Sequence, residues 1–260
     1  MDVKTVVITG ASAGIGAELG LLLASRGHRV VLAARRQDEL DKLAARAGGE
    51  ALAVRTDVTR RQEVEALKRR ALEAFGGIDV WVNNAGRGIG RTVLEMDEAD
   101  FDEMMASNVK SALYGIWAVV PHFQEKGSGH LINVSSFLGR VPLAAYRSAY
   151  SAAKSALNSL TANLRMDLKA SHPGIHVSLV MPGIVRTEFP LRSLHGTPQA
   201  AWRAAAAADS QSPREVAEAI AGLIREPRAE IYTNPSSADT ALAYFGDVAG
   251  FEERMARRRG

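Results

Sequence analysis

Lys4-Thr-Val-Val-Ile-Thr9, running into Gly10-Ala-Ser-Ala-Gly14-Ile-Gly16, decides the fold. The first part is an unbroken β-branched run. Such a run fits a strand buried on both faces, as in a parallel sheet. The glycines then open an apolar helix from Ala17 to Ser25. Glycine lets backbone N–H groups come close to a ligand, and a helix N-terminus carries partial positive charge. A strand, a glycine turn and a helix in that order therefore make a phosphate site.

The rest of the chain repeats this alternation. Strands are predicted at Arg29–Ala34, Ala51–Arg55, Ile78–Val82, His130–Val134, Ile175–Val180 and Ala229–Tyr232. Helices are predicted at Gln37–Ala47, from a Thr59 cap to Phe75, over Glu98–Phe123, from Tyr150 to about Ala170, and from Pro213 to Arg225. Seven strands alternating with helices predict an α/β fold, a doubly wound parallel sheet with helices on both faces. No repeat or linker divides the chain, so residues 1–260 read as one domain. One irregular stretch, Glu188–Ser212, carries Phe189, Leu191, Leu194, Trp202 and an alanine run. It follows the sixth strand, at the sheet edge where ligands bind, and is expected to be a substrate lid.

Composition narrows the function. The chain has no cysteine, which excludes disulfides, zinc–thiolate sites and thiol catalysis. Lys and Arg are scattered rather than gathered in an aromatic-interleaved patch, so nucleic acid is not indicated. No apolar run approaches the ~20 residues of a membrane span, and no signal-peptide pattern opens the chain. A cytoplasmic protein is expected. The basic tail Arg254–Arg259 reads as a solvated terminus. His172 and His176 are separated by Pro173 and Gly174 and share no helical face, so no metal site is expected.

The segment Tyr150-Ser-Ala-Ala-Lys154 carries the chemistry. Residues four apart stack on one helical face. A cation within about 4–6 Å favours the phenolate and lowers a tyrosine's pKa. A phenol poised in this way can exchange a proton with a carbonyl or alcohol oxygen.

Six motifs together resemble the compact, single-domain branch of the short-chain dehydrogenase/reductase family. They are Thr9-Gly10-x-x-x-Gly14-x-Gly16, Asn83-Asn84-Ala85-Gly86, Asn108, Ser136, Tyr150-x-x-x-Lys154 and Pro182-Gly183-x-x-x-Thr187. The resemblance spans residues 4 to about 233 and implies a Rossmann-type fold with a nicotinamide cofactor across the strand C-termini. It implies Tyr150 as general acid in reduction and base in oxidation, with Lys154 lowering its pKa and holding the nicotinamide ribose. It implies that Ser136 holds the substrate oxygen and that Asn108 fixes a water relaying protons to Lys154. On the cofactor side it implies Gly10, Ser12, Ala13, Gly14, Ile15 and Gly16 at the phosphates. Asp57 and Val58 would face the adenine, Asn84, Ala85 and Gly86 the adenosine ribose, and Pro182, Gly183, Val185 and Thr187 the rest of the cofactor. It also implies a homodimer or homotetramer through the Glu98–Phe123 and Tyr150 helices. Ser136 lies fourteen residues before Tyr150 where thirteen is expected, so the intervening loop carries an insertion. Tyr146 has Tyr150, not a lysine, four residues later, and is assigned to packing or to the pocket wall.

Recognition of NAD places an acid at the end of the second strand. Ala34 stands there, followed by Arg35 and Arg36. An arginine there can grip a 2′-phosphate through charge-assisted bonds, so NADP(H) is expected, with Ser12 adding a hydroxyl. The expected activity is NADPH-dependent interconversion of a ketone or aldehyde and an alcohol. Phe137, Leu138, Val141, Leu143, Tyr146, Phe189 and Trp202 point to a small apolar substrate. The alternative is a catalytically idle NADP-sensing protein on the same fold, which would have no need of Tyr150.

Overall fold

The computed structural model describes residues 2–196 and 210–257. Seven strands form one sheet: β1 Thr5–Thr9, β2 Arg29–Ala34, β3 Ala51–Arg55, β4 Val80–Asn83, β5 Gly129–Val134, β6 Ile175–Met181 and β7 Glu230–Tyr232. Their order is β3-β2-β1-β4-β5-β6-β7, and every neighbouring pair is parallel. The predicted doubly wound sheet is the fold observed.

Alternation along β1 builds two cores. Val6 and Ile8 join one apolar layer with Leu19, Leu22 and Ile220, and Val7 joins the other with Leu67, Val119 and Phe123. Successive strand side chains point to opposite faces. A strand covered on both sides can therefore be apolar at every position, as all five residues of β1 are buried. Helices α1 Gly14–Ser25, α2 Gln37–Ala47 and α7 Pro213–Arg225 cover the first face. Helices α3 Arg61–Phe75, α5 Ser111–Lys126 and α6 Ser148–Lys169 cover the second. Strand order reverses between β1 and β4, which opens a crevice at their C-terminal ends.

Three expectations differ from the structure, and a fourth falls on residues it does not describe. The predicted Glu98–Phe123 helix is three pieces: α4 Glu98–Met105, a π-turn at Ala106–Lys110, and α5. A π-turn inserts one residue into the helical ladder, commonly at functional sites, and this one contains Asn108. Thr59 does not cap α3. Its hydroxyl donates to Asp57 Oδ1 at 2.7 Å, and Arg60 takes the cap position without a side-chain bond. Two helices follow β7, α8 Ser237–Gly246 and α9 Val248–Arg257. The basic tail is thus helical through Arg257, and Arg254 pairs with Asp247 at 3.5 Å. Trp202 and the alanine run of the expected lid lie outside the described residues. Among the described residues no helix is long and apolar enough to cross a membrane, and no cluster of His, Asp and Glu could hold a metal.

Candidate active site

The glycine turn follows β1 and is clamped from β4. Thr9 Oγ1 accepts from the N–H groups of Asn84 (3.0 Å) and Ala85 (3.1 Å), and Asn84 Nδ2 donates to the Thr9 carbonyl at 2.9 Å. Gly10 has φ 67°, and a Cβ there would lie 2.8 Å from Ala85 Cα. A Cβ on Gly16 would lie 2.6 Å from Asn84 Nδ2. The turn therefore requires glycine where it touches the β4 edge. Ala13 is the N-cap of α1 and makes no side-chain bond, so the first N–H groups of the helix have no side-chain acceptor. Ile15 sits half-buried in that first turn. Across the turn stands Thr187, whose Cγ2 would lie 3.2 Å from a Cβ on Gly14.

The ends of β2 and β3 flank this turn. Ala34 is buried, Arg35 is exposed and Arg36 is half-buried. Arg36, rather than Arg35, engages the glycine turn, with Nη2 on Ser12 Oγ at 2.9 Å and on the Ser12 carbonyl at 3.0 Å. Asp57 feels burial, which raises its pKa, but the Thr59 hydrogen bonds and the Arg35 charge outweigh this and hold it below the usual carboxylate value. Val58 packs into the core layer beneath. After β6, the Pro182 carbonyl accepts from the Phe137 N–H at 2.8 Å. Gly183 faces Asn234, and Val185 bridges to Gln211.

Ser136, Tyr150, Lys154 and Asn108 converge beside this crevice. Helix α6 buries Tyr150 and Lys154 on one face, and Lys154 Nζ lies 5.7 Å from the centre of the Tyr150 ring. Lys154 Nζ donates to the Val134 carbonyl at 3.0 Å, and burial pushes its pKa down to about 8. Burial pushes the Tyr150 phenol above its ordinary value, against the pull of a Ser136 hydrogen bond and the Arg147 charge. The lowering expected from Lys154 is therefore not the net result. The ammonium lies over the ring, and Arg147 is the cation that acts on the hydroxyl. Asn108 is 1% exposed. Its Nδ2 donates to the carbonyls of Arg87 (2.9 Å) and Met104 (3.0 Å), and its Oδ1 accepts from the Arg87 N–H (3.2 Å). A Cβ on Gly86 would lie 2.8 Å from Asn108 Oδ1 and 3.5 Å from Lys154 Nζ. Glycine at 86 thus lets the Asn108 amide approach the backbone closely.

The segment after β6 closes over Tyr150. The Phe189 ring lies 5.6 Å from that of Tyr150. Leu194 packs with Ile89, Met104, Ala149 and Tyr150, and its N–H and carbonyl pair with Gly88 and Gly90. His195, at φ 56°, meets the buried Asp100 at 2.6 Å, and Arg91 meets the same carboxylate at 2.8 Å. Arg147 was not singled out in the sequence. It is 6% exposed and donates to the Ile89 carbonyl (3.0 Å) and to Ser193 Oγ (2.7 Å). The available signal was an arginine three residues before Tyr150, directly after the apolar stretch Val141–Ala145 and Tyr146. Tyr146 lies beneath that guanidinium, 5.4 Å from it.

The family model for short chain dehydrogenases matches residues 4–194. The chain belongs to the short-chain dehydrogenase family. Its relatives include an uncharacterized oxidoreductase of Staphylococcus saprophyticus, 40% identical over 188 residues, which are 72% of this chain and 76% of that protein. Among solved structures, a short-chain dehydrogenase/reductase from Burkholderia phymatum in complex with NAD superposes with a TM-score of 0.87. It is 29% identical and covers 95% of each chain. The alcohol dehydrogenase of Thermococcus sibiricus complexed with 5-hydroxy-NADP superposes at 0.76. It is also 29% identical and covers 89% of this chain and 96% of that one. This short-chain dehydrogenase is thus an oxidoreductase of an NAD(P)-dependent family, with NAD-bound and NADP-bound proteins both among its structural neighbours.

Proposed function

We propose that the chain is an NADPH-dependent oxidoreductase that interconverts a ketone or aldehyde and an alcohol, with Tyr150 as the general acid and base. The observation that carries this reading is the buried Tyr150 phenol, hydrogen-bonded to Ser136, with Lys154 beneath its ring. Titratable groups whose ionisation is perturbed by burial, gathered beside a crevice, are the pattern of an acid–base site.

The crevice fits a dinucleotide. The uncapped start of α1, the glycine turn and Thr187 opposite Gly14 leave backbone donors facing a gap. Ala34 presents no acid to the adenosine ribose, and Arg36 on Ser12, with Arg35 beside it, supplies charge for a 2′-phosphate. When bound, the nicotinamide supplies or accepts the hydride. The protein's part is proton chemistry and positioning. Ser136 holds the substrate oxygen within reach of the Tyr150 hydroxyl. Tyr150, protonated at neutral pH as an ordinary phenol is and held so more firmly by burial, gives its proton to the carbonyl oxygen in reduction and takes it back in oxidation. Lys154, still charged at pH 7, stabilises the phenolate side of that exchange. Asn108 and Lys154 both come close to Gly86, and a water reaching Lys154 from the crevice would replace the proton.

Phe189, Leu194 and Leu138 make the substrate side apolar, which favours an apolar carbonyl compound. We place the described part of the 188–212 segment as one wall of that pocket and take residues 1–260 as a single domain. We also propose a homodimer or homotetramer, because α5 exposes Trp117 and α6 exposes Met166 on helices already packed against the sheet. Light scattering should give a particle heavier than 27.8 kDa.

The test of the reaction is a panel of apolar ketones, aldehydes and alcohols, with nicotinamide absorbance followed under NADPH, NADH and their oxidised forms. Turnover of an apolar carbonyl with NADPH is expected. Tight NADPH binding with no turnover across the panel would contradict the reading and favour a nucleotide sensor.

A further inference from the structure

Three structural elements meet at Gly88. A Cβ there would lie 2.5 Å from Arg147 Nη1, 2.6 Å from Ser193 Oγ and 2.9 Å from Phe189 Cε1. The first belongs to the residue capping the start of α6, and the other two to the segment after β6. Gly88 itself lies in the loop that follows β4. We infer that Arg147 is a positioning residue of this site: it ties the Ile89 loop and the Ser193 segment to the start of α6, and so seats Phe189 on Tyr150 and holds its hydroxyl in a fixed electrostatic setting. The inference rests on the reading of Tyr150 as the proton donor.

Geometry accounts for the choice of arginine. One Nη1 reaches both the Ile89 carbonyl and the Ser193 hydroxyl. Ser193 Oγ in turn donates to the Phe189 carbonyl at 3.1 Å. The path from guanidinium to Tyr150 is then Arg147, Ser193, Phe189 and the ring contact at 5.6 Å. Arginine keeps its charge when buried and fixes several acceptors at once, whereas lysine supplies a charge on a flexible stem. Burial lowers the Arg147 pKa and Tyr146 and Tyr150 raise it, so the cation and the two phenols are electrostatically coupled. The same coupling pulls Tyr150 downward against its burial. The charged groups within about a turn of Tyr150 along its own helix and cap are Arg147 and Lys154; Arg165, Asp167 and Lys169 lie toward the far end. From the neighbouring elements, the Arg91–Asp100–His195 cluster and the Arg87–Glu103 pair at 3.2 Å lie around the same pocket wall.

The experiment needs no substrate. The absorbance of tyrosinate is titrated in the unaltered protein and in Tyr150→Phe, and their difference reports Tyr150 alone. Amide hydrogen exchange at Gly90 and Leu194, which pair across the two segments, reports the tie. Arg147→Met is expected to move the Tyr150 titration upward by about one pH unit, the lower end of a charge effect, and to speed exchange at both amides roughly tenfold. Arg147→Lys should keep the titration near its original place while exchange stays fast. A purely structural arginine would change exchange and leave the titration where it was, and that result overturns the inference. If Arg147→Met does not fold, Arg147→Gln, which also removes the charge, decides: an upward titration with fast exchange supports the inference, and an unmoved titration overturns it. Because these readouts do not depend on turnover, failure of the proposed reaction and failure of this inference remain separate results.

Discussion

Lys154 Nζ lies 5.7 Å from the centre of the Tyr150 ring and gives a hydrogen bond to the Val134 carbonyl at 3.0 Å. The pair is thus stacked as residues four apart on a helix must be, but the ammonium is anchored to the end of β5. Its fixed place beneath the ring suits a charge that senses the phenolate only when the phenolate forms.

That placement sets a pH dependence. Burial brings the Lys154 pKa down to about 8. Below that pH the lysine is charged, and above it the charge is lost. For carbonyl reduction, kcat/KM reports groups of the free enzyme and is expected to be level below pH about 8 and to fall above it. Lys154→Ala should lower the rate and remove the inflection. An inflection of unchanged position in that variant would assign it to another group.

Cofactor choice turns on the end of β2. Hydrogen bonds to charged groups contribute about 1.5–3 kcal/mol, and exposure and salt screen part of this. A preference for NADPH over NADH of about 2–3 kcal/mol is expected, roughly 30- to 150-fold. Ala34→Asp should erode it by repelling the phosphate and offering the ribose an acceptor. Arg35→Ala and Arg36→Ala, measured separately, divide the grip between the exposed arginine and the one on Ser12. The ratio of kcat/KM values at two salt concentrations is the measurement. A preference for NADH in the unaltered protein would contradict the account.

Much of this site is legible in sequence because parallel strands buried on both faces leave unbroken runs such as Thr5–Thr9, with glycines marking where backbone meets backbone. What stays hidden depends on tertiary contacts. The break at Asn108 lies within a good helical pattern. It reflects an amide that must reach both backbone groups of Arg87. Thr59 has the chemistry of a cap, but Asp57 captures its hydroxyl first. Arg147 reads as a solvated charge until the fold brings Ile89 and Ser193 to it. Helices α8 and α9 are ten residues each and bury few residues of their own. Ala241, Tyr244 and Phe251 find their apolar partners in Phe137 and Val141, about a hundred residues earlier.

A buried histidine away from the site predicts acid lability. His130, on β5 opposite His176 of β6, has its pKa lowered to about 3 by burial and by His176. Unfolded, it titrates near 6.5. The native state therefore holds the neutral form while the unfolded state takes up a proton. Its contribution to stability is complete above about pH 6.5 and is lost as pH falls from there toward 3, at up to about 1.4 kcal/mol per pH unit. His28, also lowered mainly by burial, acts with the same sign. Urea unfolding at several pH values between about 5 and 7 should show stability falling with acid. In His130→Gln the slope should be smaller, and an unaltered slope would remove His130 from the account.

The central claim is that Tyr150 supplies the proton. Tyr150→Phe keeps the ring that packs on Phe189 and deletes only the hydroxyl. Turnover of an apolar ketone by this variant and by the unaltered protein, alongside a fluorescence titration of NADPH binding, tests that claim directly. The account predicts a fall in turnover of roughly 10² or more, the scale of a lost general acid, with NADPH affinity nearly unchanged. A Phe variant that turns over at a near-normal rate would contradict it.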